Sequence, residues 1–317
     1  MKRIRQLFAV VLGLGMLGAV ASVQAAGPTK DLFLKGDAKC TTCHDEGDAP
    51  KVLEIGRTKH GTIADKRVGT CTSCHGESTQ HIADADKGMK QPASPDVAYG
   101  KNSKTPMNVR SESCLTCHQG GNRSHWQSSQ HASRDTSCTS CHQVHTARDQ
   151  ARDRFGQSDV CFACHKEQRS QINRPSHHPI REGKMGCSDC HNVHGGNPKQ
   201  LVRASVNEVC YTCHMEKRGP FVHNHQPVTE DCGICHQPHG TVIANLLKQR
   251  PTQLCQECHS HTSHPGQVPG QMNPNRRDRH NSASRMGTML RGCVNCHTNI
   301  HGGNSTVNSA TAGRFRR

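Results

Sequence analysis

The pattern Cys-x-x-Cys-His occurs ten times in this chain of 317 residues and uses all 20 of its cysteines. In chain order, motifs 1 to 10 are Cys40-Cys43-His44, Cys71-Cys74-His75, Cys114-Cys117-His118, Cys138-Cys141-His142, Cys161-Cys164-His165, Cys187-Cys190-His191, Cys210-Cys213-His214, Cys232-Cys235-His236, Cys255-Cys258-His259 and Cys293-Cys296-His297. The pattern is typical of haem c attachment: the thiols form thioethers with the haem, and the histidine is the proximal ligand of the iron. Because no cysteine is left over, the sequence predicts ten covalent haems and no disulfide.

Zinc knuckles are the main alternative interpretation of the motifs, because zinc also binds paired cysteines. Zinc does not require a histidine directly after the second cysteine. Here a histidine follows in every one of the ten motifs. The regularity of that position favours haem.

Residues 1–25 have the features of a secretory signal peptide. Three basic residues among the first five precede an apolar run at 7–20, and residues 23–25 (VQA) form a small-residue cleavage site. The apolar run is too short for a membrane span. We expect cleavage after Ala25 and a mature protein outside the cytoplasm, where this type of haem attachment takes place.

The mature chain is too polar to fold around a core of its own side chains. Aromatic residues are 3% of the sequence and hydrophobic residues 32%, which is too little apolar surface to offset the conformational entropy of folding. Ten haems would supply the missing core, because each is a large apolar body bonded to the chain at several points. The predicted fold class is therefore a multihaem cytochrome c, a mostly irregular chain with short α-helices wrapped around ten covalent haems.

The formal charge of +15 has an explanation within the same prediction. Each haem carries two propionates, and a ferric haem iron carries one net positive charge, so ten ferric haems would cancel most of the positive excess. The sequence has no clustered basic helix and few aromatic residues that could stack on bases. We therefore predict no nucleic-acid partner.

The spacing of the motifs indicates a two-haem repeat. Motifs 4, 6 and 8 have a histidine upstream and another three residues after the proximal one, whereas motifs 5, 7 and 9 lack both. Such regular spacing is typical of repeat architectures. We also predict two five-haem halves, residues 26–170 and 171–317. The 39-residue gap between His75 and Cys114, rich in Pro, Lys, Asp and Ser, is predicted to be a surface loop, as is the segment 264–291.

Fifteen histidines remain after the ten proximal ones, and ten of them are candidate distal ligands. Four follow a proximal histidine by three or four residues: His145, His194, His239 and His301. Three precede a motif by seven to nine residues: His131, His178 and His225. The set is completed by His60, His81 and His264. We predict bis-histidine irons throughout and no ligand role for the five others, His125, His177, His223, His261 and His280. The nine methionines keep no regular offset from the motifs and are interpreted as packing residues.

The runs CSDCHNVHG, VNEVCYTCHMEKRGP and PVTEDCGICHQPHG resemble the MtrA/DmsE family of periplasmic decahaem cytochromes c, which includes MtoA and PioA relatives. The resemblance covers residues 40–301, with all ten motifs in order. It implies histidine at the ten distal positions given above. It also implies an elongated haem wire that sits inside a large outer-membrane β-barrel protein of the MtrB/MtoB type.

The resemblance implies a conduit for extracellular electron transfer, either Fe(II) oxidation or Fe(III) and metal reduction. The expected partners are periplasmic or inner-membrane cytochromes c on one side, and an outer-surface multihaem cytochrome or extracellular iron on the other. A polar, irregular chain cannot cross lipid unaided. This is a physical reason to expect a surrounding barrel. The sequence does not determine the direction of electron flow.

Two other functions stay open at this point. The first is a soluble periplasmic shuttle that serves a terminal reductase such as dimethyl-sulfoxide reductase. The second is a multihaem enzyme that converts nitrite or hydroxylamine, which would need an iron with an open position. Because ten motifs are regular and ten distal histidines are available, we predict an electron-transfer protein and not an enzyme.

Overall fold

The computed structural model describes residues 37–61, 67–100, 102–259, 292–295 and 297–305. The predicted signal peptide, Cys296, the distal candidate His264 and the segment 264–291 lie outside these ranges. The chain divides into two compact units, Met1–Thr70 and Cys71–Arg317. The division into five-haem halves at residue 170 stays a prediction.

The described residues form short helices joined by turns and irregular chain, as predicted. The α-helices are α1 (Ala38–Thr41), α2 (Pro50–Leu53), α3 (Cys71–His75), α4 (Thr79–Asp86), α5 (Met107–Leu115), α6 (Gln157–Phe162), α7 (Lys166–Gln171), α8 (Val206–Tyr211), α9 (Gln226–Glu230) and α10 (Pro251–Gln256). The 3-10 helices are Glu54–Arg57, Gly121–Arg123, Trp126–Ser128, Ala132–Arg134, Cys138–Ser140, Gln150–Arg152, Cys187–Asp189, Met215–Lys217, Cys232–Ile234, Ala244–Leu246 and Cys293–Asn295. Within these ranges the β-structure consists of isolated bridges, and no helix has both the length and the apolar character that a membrane span needs.

The haem motifs fold as single helical turns. In nine of them the backbone N–H of the histidine donates to the carbonyl of the first cysteine at 2.8–3.0 Å, and motif 2 is the helix α3 itself. Positions i, i+3 and i+4 of a helical turn lie on one face. In motifs 1 to 9, whose three attachment residues are all described, the two cysteines and the proximal histidine therefore point to the same side, as attachment to one haem requires.

The two-haem repeat is visible as two alternating conformations of motifs 3 to 10. Motifs 3, 5, 7 and 9 have their first cysteine in the last turn of an α-helix, in α5, α6, α8 and α10. Motifs 4, 6, 8 and 10 instead begin a 3-10 helix at their first cysteine. Each of these four α-helices packs against the 3-10 helix of the next motif along the chain. The packing therefore joins motifs 3 with 4, 5 with 6, 7 with 8 and 9 with 10.

Polar side chains fasten the helix of one motif to the 3-10 helix of the next. Asn207 in α8 donates to the carbonyls of Val228 and Thr229 and accepts from the N–H of Cys232 at 2.7 Å. Asn207 is buried, so all three of its hydrogen bonds are shielded from water. Its position is set by the cap of α8, where Ser205 accepts from the N–H of Glu208, a Ser-x-x-Glu pattern that favours helix initiation. Replacing this amide would loosen motif 7 from motif 8.

The segment between motifs 2 and 3 is not a loop throughout, so this prediction was wrong. It contains α4 (Thr79–Asp86), and residues 93–97 fold back onto that helix. The carboxylate of Asp84 accepts from the N–H of Ala93, and that of Asp96 accepts from the N–H of Ser78. The polar composition suggested a loop. In this segment, however, carboxylates hold the backbone in place, a role that apolar contacts have in most proteins.

The unit Met1–Thr70 holds motif 1. Helix α1 carries Cys40, and α2 continues directly into the 3-10 helix Glu54–Arg57. The hydroxyl of Thr58 donates to the carbonyl of Ile55 at 2.7 Å and accepts from the N–H of His60 at 3.1 Å. These contacts fix the backbone at a distal candidate.

The side-chain core of the described residues is small. Three large apolar side chains are buried: Trp126, Phe162 and Ile172. This agrees with the prediction that the polypeptide alone does not supply the core.

Candidate haem-binding centres

Seven proximal histidines each face one predicted distal histidine within the unit Cys71–Arg317. The ring centres of these pairs are 6.0–6.4 Å apart. The pairs, with the proximal histidine first, are His75 with His145, His142 with His194, His165 with His131, His191 with His239, His214 with His178, His236 with His301, and His259 with His225. Motifs 2 and 4 to 9 therefore have a candidate second ligand in place.

The distance within each pair is the one that an iron between two imidazoles requires. A metal–imidazole bond is about 2 Å long and the bonding nitrogen lies about 1 Å from its ring centre, which places the two ring centres about 6 Å apart. The rings of four pairs are also nearly parallel, at 11–25°. The residues present thus fit haem.

Several ligand candidates have a backbone carbonyl at hydrogen-bond distance from Nδ1. His75, His178 and His236 place Nδ1 within 2.7–2.9 Å of backbone carbonyls of Val97, Pro238 and Asn245. With the Nδ1 proton donated to a carbonyl, Nε2 keeps its lone pair for a metal. This is the tautomer that an iron ligand needs.

The proximal His142 has a different partner. Its Nδ1 lies 2.7 Å from the Oδ2 atom of Asp149, whose side chain is 16% exposed. The sequence analysis did not single out Asp149. No other proximal histidine has an aspartate seven residues after it, so no repeated pattern marked this position.

The upstream distal histidines are anchored beside the downstream ones. His131 bonds the carbonyl of Val193, the residue before His194, at 2.9 Å. His178 bonds Pro238, the residue before His239, and His225 bonds the backbone of Ile300, the residue before His301. Each such contact ties the distal ligand candidate of one motif to that of the motif before it.

Burial shifts the pKa of three downstream distal candidates. It lowers the pKa of His194, His239 and His301, and neighbouring histidines lower it further. Burial likewise lowers the pKa of His225. A lowered pKa keeps these imidazoles neutral near pH 7, and the neutral form is the one that binds a metal.

A glycine follows three of the downstream distal histidines and is required by the backbone. Gly195, Gly240 and Gly302 have φ values of 109°, 145° and 147°. A Cβ on Gly240 would overlap the carbonyl oxygen of Gln171, and one on Gly302 would overlap the ring of Phe221. The extension was visible in the sequence, as His-x-x-His-Gly at Gly195 and Gly240 and as His-x-x-x-His-Gly at Gly302, but its glycine was not recognised as part of the site.

Gly240→Ala is expected to lower the free energy of unfolding by about 2 kcal/mol or more, because a left-handed conformation is combined with a backbone overlap. His239 should also shift, which would give a high-spin population at one haem. Thermal denaturation and absorbance spectra of the holoprotein would measure both effects. Gly120→Ala is the matched control, since φ of Gly120 is −100° and an added Cβ meets nothing within 4 Å. Equal stability of the two variants would contradict the prediction.

Two histidines that were predicted not to be ligands use Nε2 for contacts within the protein. His177 places Nε2 3.4 Å from Glu182 and Nδ1 2.5 Å from the carbonyl of Arg174. Nε2 of His223 lies 3.0 Å from the carbonyl of Ser305. Of the remaining three, His125 is exposed, whereas His261 and His280 lie outside the described residues.

For motifs 1, 3 and 10 the pairing of proximal and distal histidines stays a prediction. The proximal histidines concerned are His44, His118 and His297, and the distal candidates are His60, His81 and His264. His81 does show the Nδ1 bond of a ligand, to the carbonyl of Ala93 at 2.6 Å. Their ligand roles stay predictions.

The cysteines of consecutive motifs lie next to one another from motif 2 to motif 10. The side chains of the first cysteines are adjacent in four pairs: Cys114 with Cys138, Cys161 with Cys187, Cys210 with Cys232, and Cys255 with Cys293. Second cysteines interact electrostatically in the alternate steps: Cys141 with Cys164, Cys190 with Cys213, and Cys235 with Cys258. Motif 2 joins the series through Cys74, which interacts with Cys114. The attachment points therefore follow one another without a break.

Comparison with known proteins agrees with this geometry. The family model for a doubled CXXCH motif matches residues 177–219 and 225–274, which hold motifs 6 with 7 and 8 with 9. The model for NrfB-like c-type cytochromes matches residues 71–154. Motif turns, facing histidines and both family matches define the class: the chain is a multihaem c-type cytochrome of short helices and irregular chain, and the predicted fold class is confirmed.

Within that class the chain resembles MtrA. It is 38% identical to the multihaem cytochrome MtrA of Shewanella baltica over 155 residues, 48% of this chain and 44% of that protein. It is 26% identical to the cytochrome c-type protein NrfB of Escherichia coli O6:H1 over 144 residues, 43% of this chain and 69% of that protein. The resemblance to MtrA drawn from the motifs is confirmed, over less than half the length of that relative.

Proposed function

We propose that this chain conducts electrons along ten covalent haems. The observation that carries the proposal is the set of seven facing histidine pairs at motifs 2 and 4 to 9. The α-helices of motifs 3, 5, 7 and 9 also each pack against the 3-10 helix of the next motif. Each bound haem supplies an iron that takes up and releases one electron. The role of the chain is to hold these haems in sequence and to fix both axial ligands of each iron.

The seven facing histidine pairs are the proposed axial ligands of haems 2 and 4 to 9, numbered by motif. Two nitrogen ligands leave an iron no open position for a substrate. This supports electron transfer, and not catalysis on a bound molecule, at those seven haems. For haems 1, 3 and 10 we propose the same ligation from His60, His81 and His264, without a pairing.

The mature protein is expected to carry ten haems, since each motif is complete in the sequence. Intact-mass measurement of the periplasmic form should give the chain from Ala26 plus ten haem masses. The low-spin ferric spectrum should dominate, and bound zinc should be absent. Nine or fewer haems in a fully matured sample would contradict the count.

We further propose that the haem chain spans the outer membrane inside a β-barrel partner, as the resemblance to MtrA suggests. Two physical features support the proposal. The described backbone is largely irregular, and such backbone is not tolerated against lipid. The closed wall and polar interior of a barrel would shield the charged surface from lipid. The direction of flow is left open, because driving force comes from the donors and acceptors at the two ends.

Electron exchange across a vesicle membrane tests the conduit. Liposomes that contain the purified complex of cytochrome and barrel, with a reduced redox dye inside and Fe(III) outside, should oxidise the dye. Liposomes with the barrel alone, or with the cytochrome added to the outside, should not. Reversing the gradient, with an oxidised dye inside and Fe(II) outside, tests inward transfer.

The same preparation distinguishes the conduit from the soluble shuttle. A conduit should co-purify with a barrel protein from outer-membrane fractions. If the cytochrome stays free in the periplasmic fraction and no barrel accompanies it, the shuttle replaces the conduit. Tight binding of nitrite or carbon monoxide to the native protein would instead favour an enzyme with an open iron.

A further inference from the structure

The proximal ligand of haem 4 is held by a carboxylate, whereas other ligand candidates are held by backbone carbonyls. Nδ1 of His142 lies 2.7 Å from Oδ2 of Asp149. Carbonyl oxygens occupy the corresponding position at His75, His131, His178 and His236, at 2.7–2.9 Å. Among the ring contacts just named, the partner of His142 is the one that carries a full negative charge.

The position of Asp149 is fixed by its own backbone contacts. Its Oδ1 atom accepts from the N–H of Ala151 at 3.1 Å, which caps the 3-10 helix Gln150–Arg152, and from the N–H of Gln143 at 3.4 Å. One carboxylate oxygen therefore serves the backbone and leaves Oδ2 for the imidazole. This arrangement orients His142 and also places a charge beside it.

The other face of the same centre is shielded. His194 lies 6.2 Å from His142 with its ring nearly parallel, at 11°. The buried Trp126 packs against His194, with ring centres 6.1 Å apart. The side chain of Asp149 is itself 16% exposed, and a partly buried charge acts more strongly than the same charge in solvent.

A carboxylate that accepts the Nδ1 proton raises the basicity of the imidazole. A more basic ligand donates more electron density to the iron and stabilises the ferric state, which lowers the reduction potential. We propose that Asp149 lowers the potential of haem 4 below the potentials of haems whose ligand imidazoles bond carbonyls. This inference rests on the proposed ligation of haem 4 by His142 and His194.

In the proposed conduit, a lowered potential at haem 4 would slow the passage of electrons. Haem 4 lies inside the series, between motif 3 through Cys114–Cys138 and motif 5 through Cys141–Cys164. An electron passing in either direction would there occupy a site of lower potential than the haems whose ligand imidazoles bond carbonyls. Asp149 is thus a positioning residue that tunes a step without touching the haem.

Asp149→Asn tests the inference, because asparagine keeps the shape and an acceptor oxygen but removes the charge. In the holoprotein the ferrous-to-ferric ratio of one haem at a fixed ambient potential should rise about tenfold, which corresponds to about 59 mV for one electron. The other nine haems should keep their ratios. Potentiometric titration followed by electron paramagnetic resonance would resolve the component that moves.

A matched control is available at haem 7. Glu216 lies 3.8 Å from Nδ1 of the proximal His214, beyond hydrogen-bond length, and both side chains are more than half exposed. Glu216→Gln removes the same charge beside a proximal histidine without breaking such a bond. It should leave the ratio of haem 7 unchanged.

The component that moves is assigned to haem 4 with His194→Met, which changes a proposed ligand of the same iron. If His194→Met moves no component, the proposed ligation fails. If it moves one component and Asp149→Asn moves none or a different one, the inference about Asp149 fails while the ligation stands. Should Asp149→Asn carry fewer than ten haems, Asp149→Glu replaces it: a restored carboxylate should keep the low potential, and a raised potential would overturn the proposal.

Discussion

Replacing His194 by methionine is expected to raise the reduction potential of haem 4 by on the order of 0.1–0.3 V, a part of the roughly 0.8 V that axial ligands span. The reason is that methionine stabilises the ferric iron less than imidazole does. His194 faces His142 at 6.2 Å, so the change acts at one iron. Spectroscopic redox titration of the holoprotein should show one component displaced and nine retained.

His177→Met is the matched control for this experiment. His177 has contacts at both ring nitrogens, with Arg174 and Glu182, so it has no free nitrogen for an iron. The same substitution there should leave all ten potentials in place. A displaced component in the control, or none with His194→Met, would contradict the ligand assignment.

Removing both thioether cysteines of motif 6, as Cys187→Ala with Cys190→Ala, is expected to reduce conduction in the liposome assay to the rate of the barrel alone. Cys187 neighbours Cys161 of motif 5, and Cys190 neighbours Cys213 of motif 7. Loss of this haem therefore removes the link between the two parts of the series. Intact mass should fall by one haem, and dye oxidation should stop.

A second variant separates loss of the link from a general loss of structure. His239→Met should keep haem 6 covalently attached, because its cysteines and His191 are untouched, but should raise its potential. Electrons would then be retained at haem 6 and conduction should slow without stopping. Vesicles that conduct at the unmodified rate with nine haems would exclude a single series of haems as the path.

The sequence by itself determined the class of cofactor and the kind of fold, because haem attachment is local. The groups that attach one haem span five consecutive residues, and one helical turn brings them to one face. Polar composition then excluded a side-chain core. The composition of the segment after motif 2 led to the wrong prediction of a loop. In the structure, Asp84 and Asp96 hold residues 93–97 against helix α4.

Tertiary structure decided which histidine faces which. The paired rings come from residues 34 to 70 positions apart, and a lone histidine carries no local mark of its partner. In the fold, His194, His239 and His301 each face the proximal histidine two motifs earlier, whereas the upstream histidines face the motif after the one they precede. The repeat in the sequence joins motifs 4 with 5 and 6 with 7, but the first cysteines that touch belong to 3 with 4 and 5 with 6. Such contacts are set by the packing of helices against distant turns, and for that reason neither the ligand pairs nor Asp149 could be read from motif spacing.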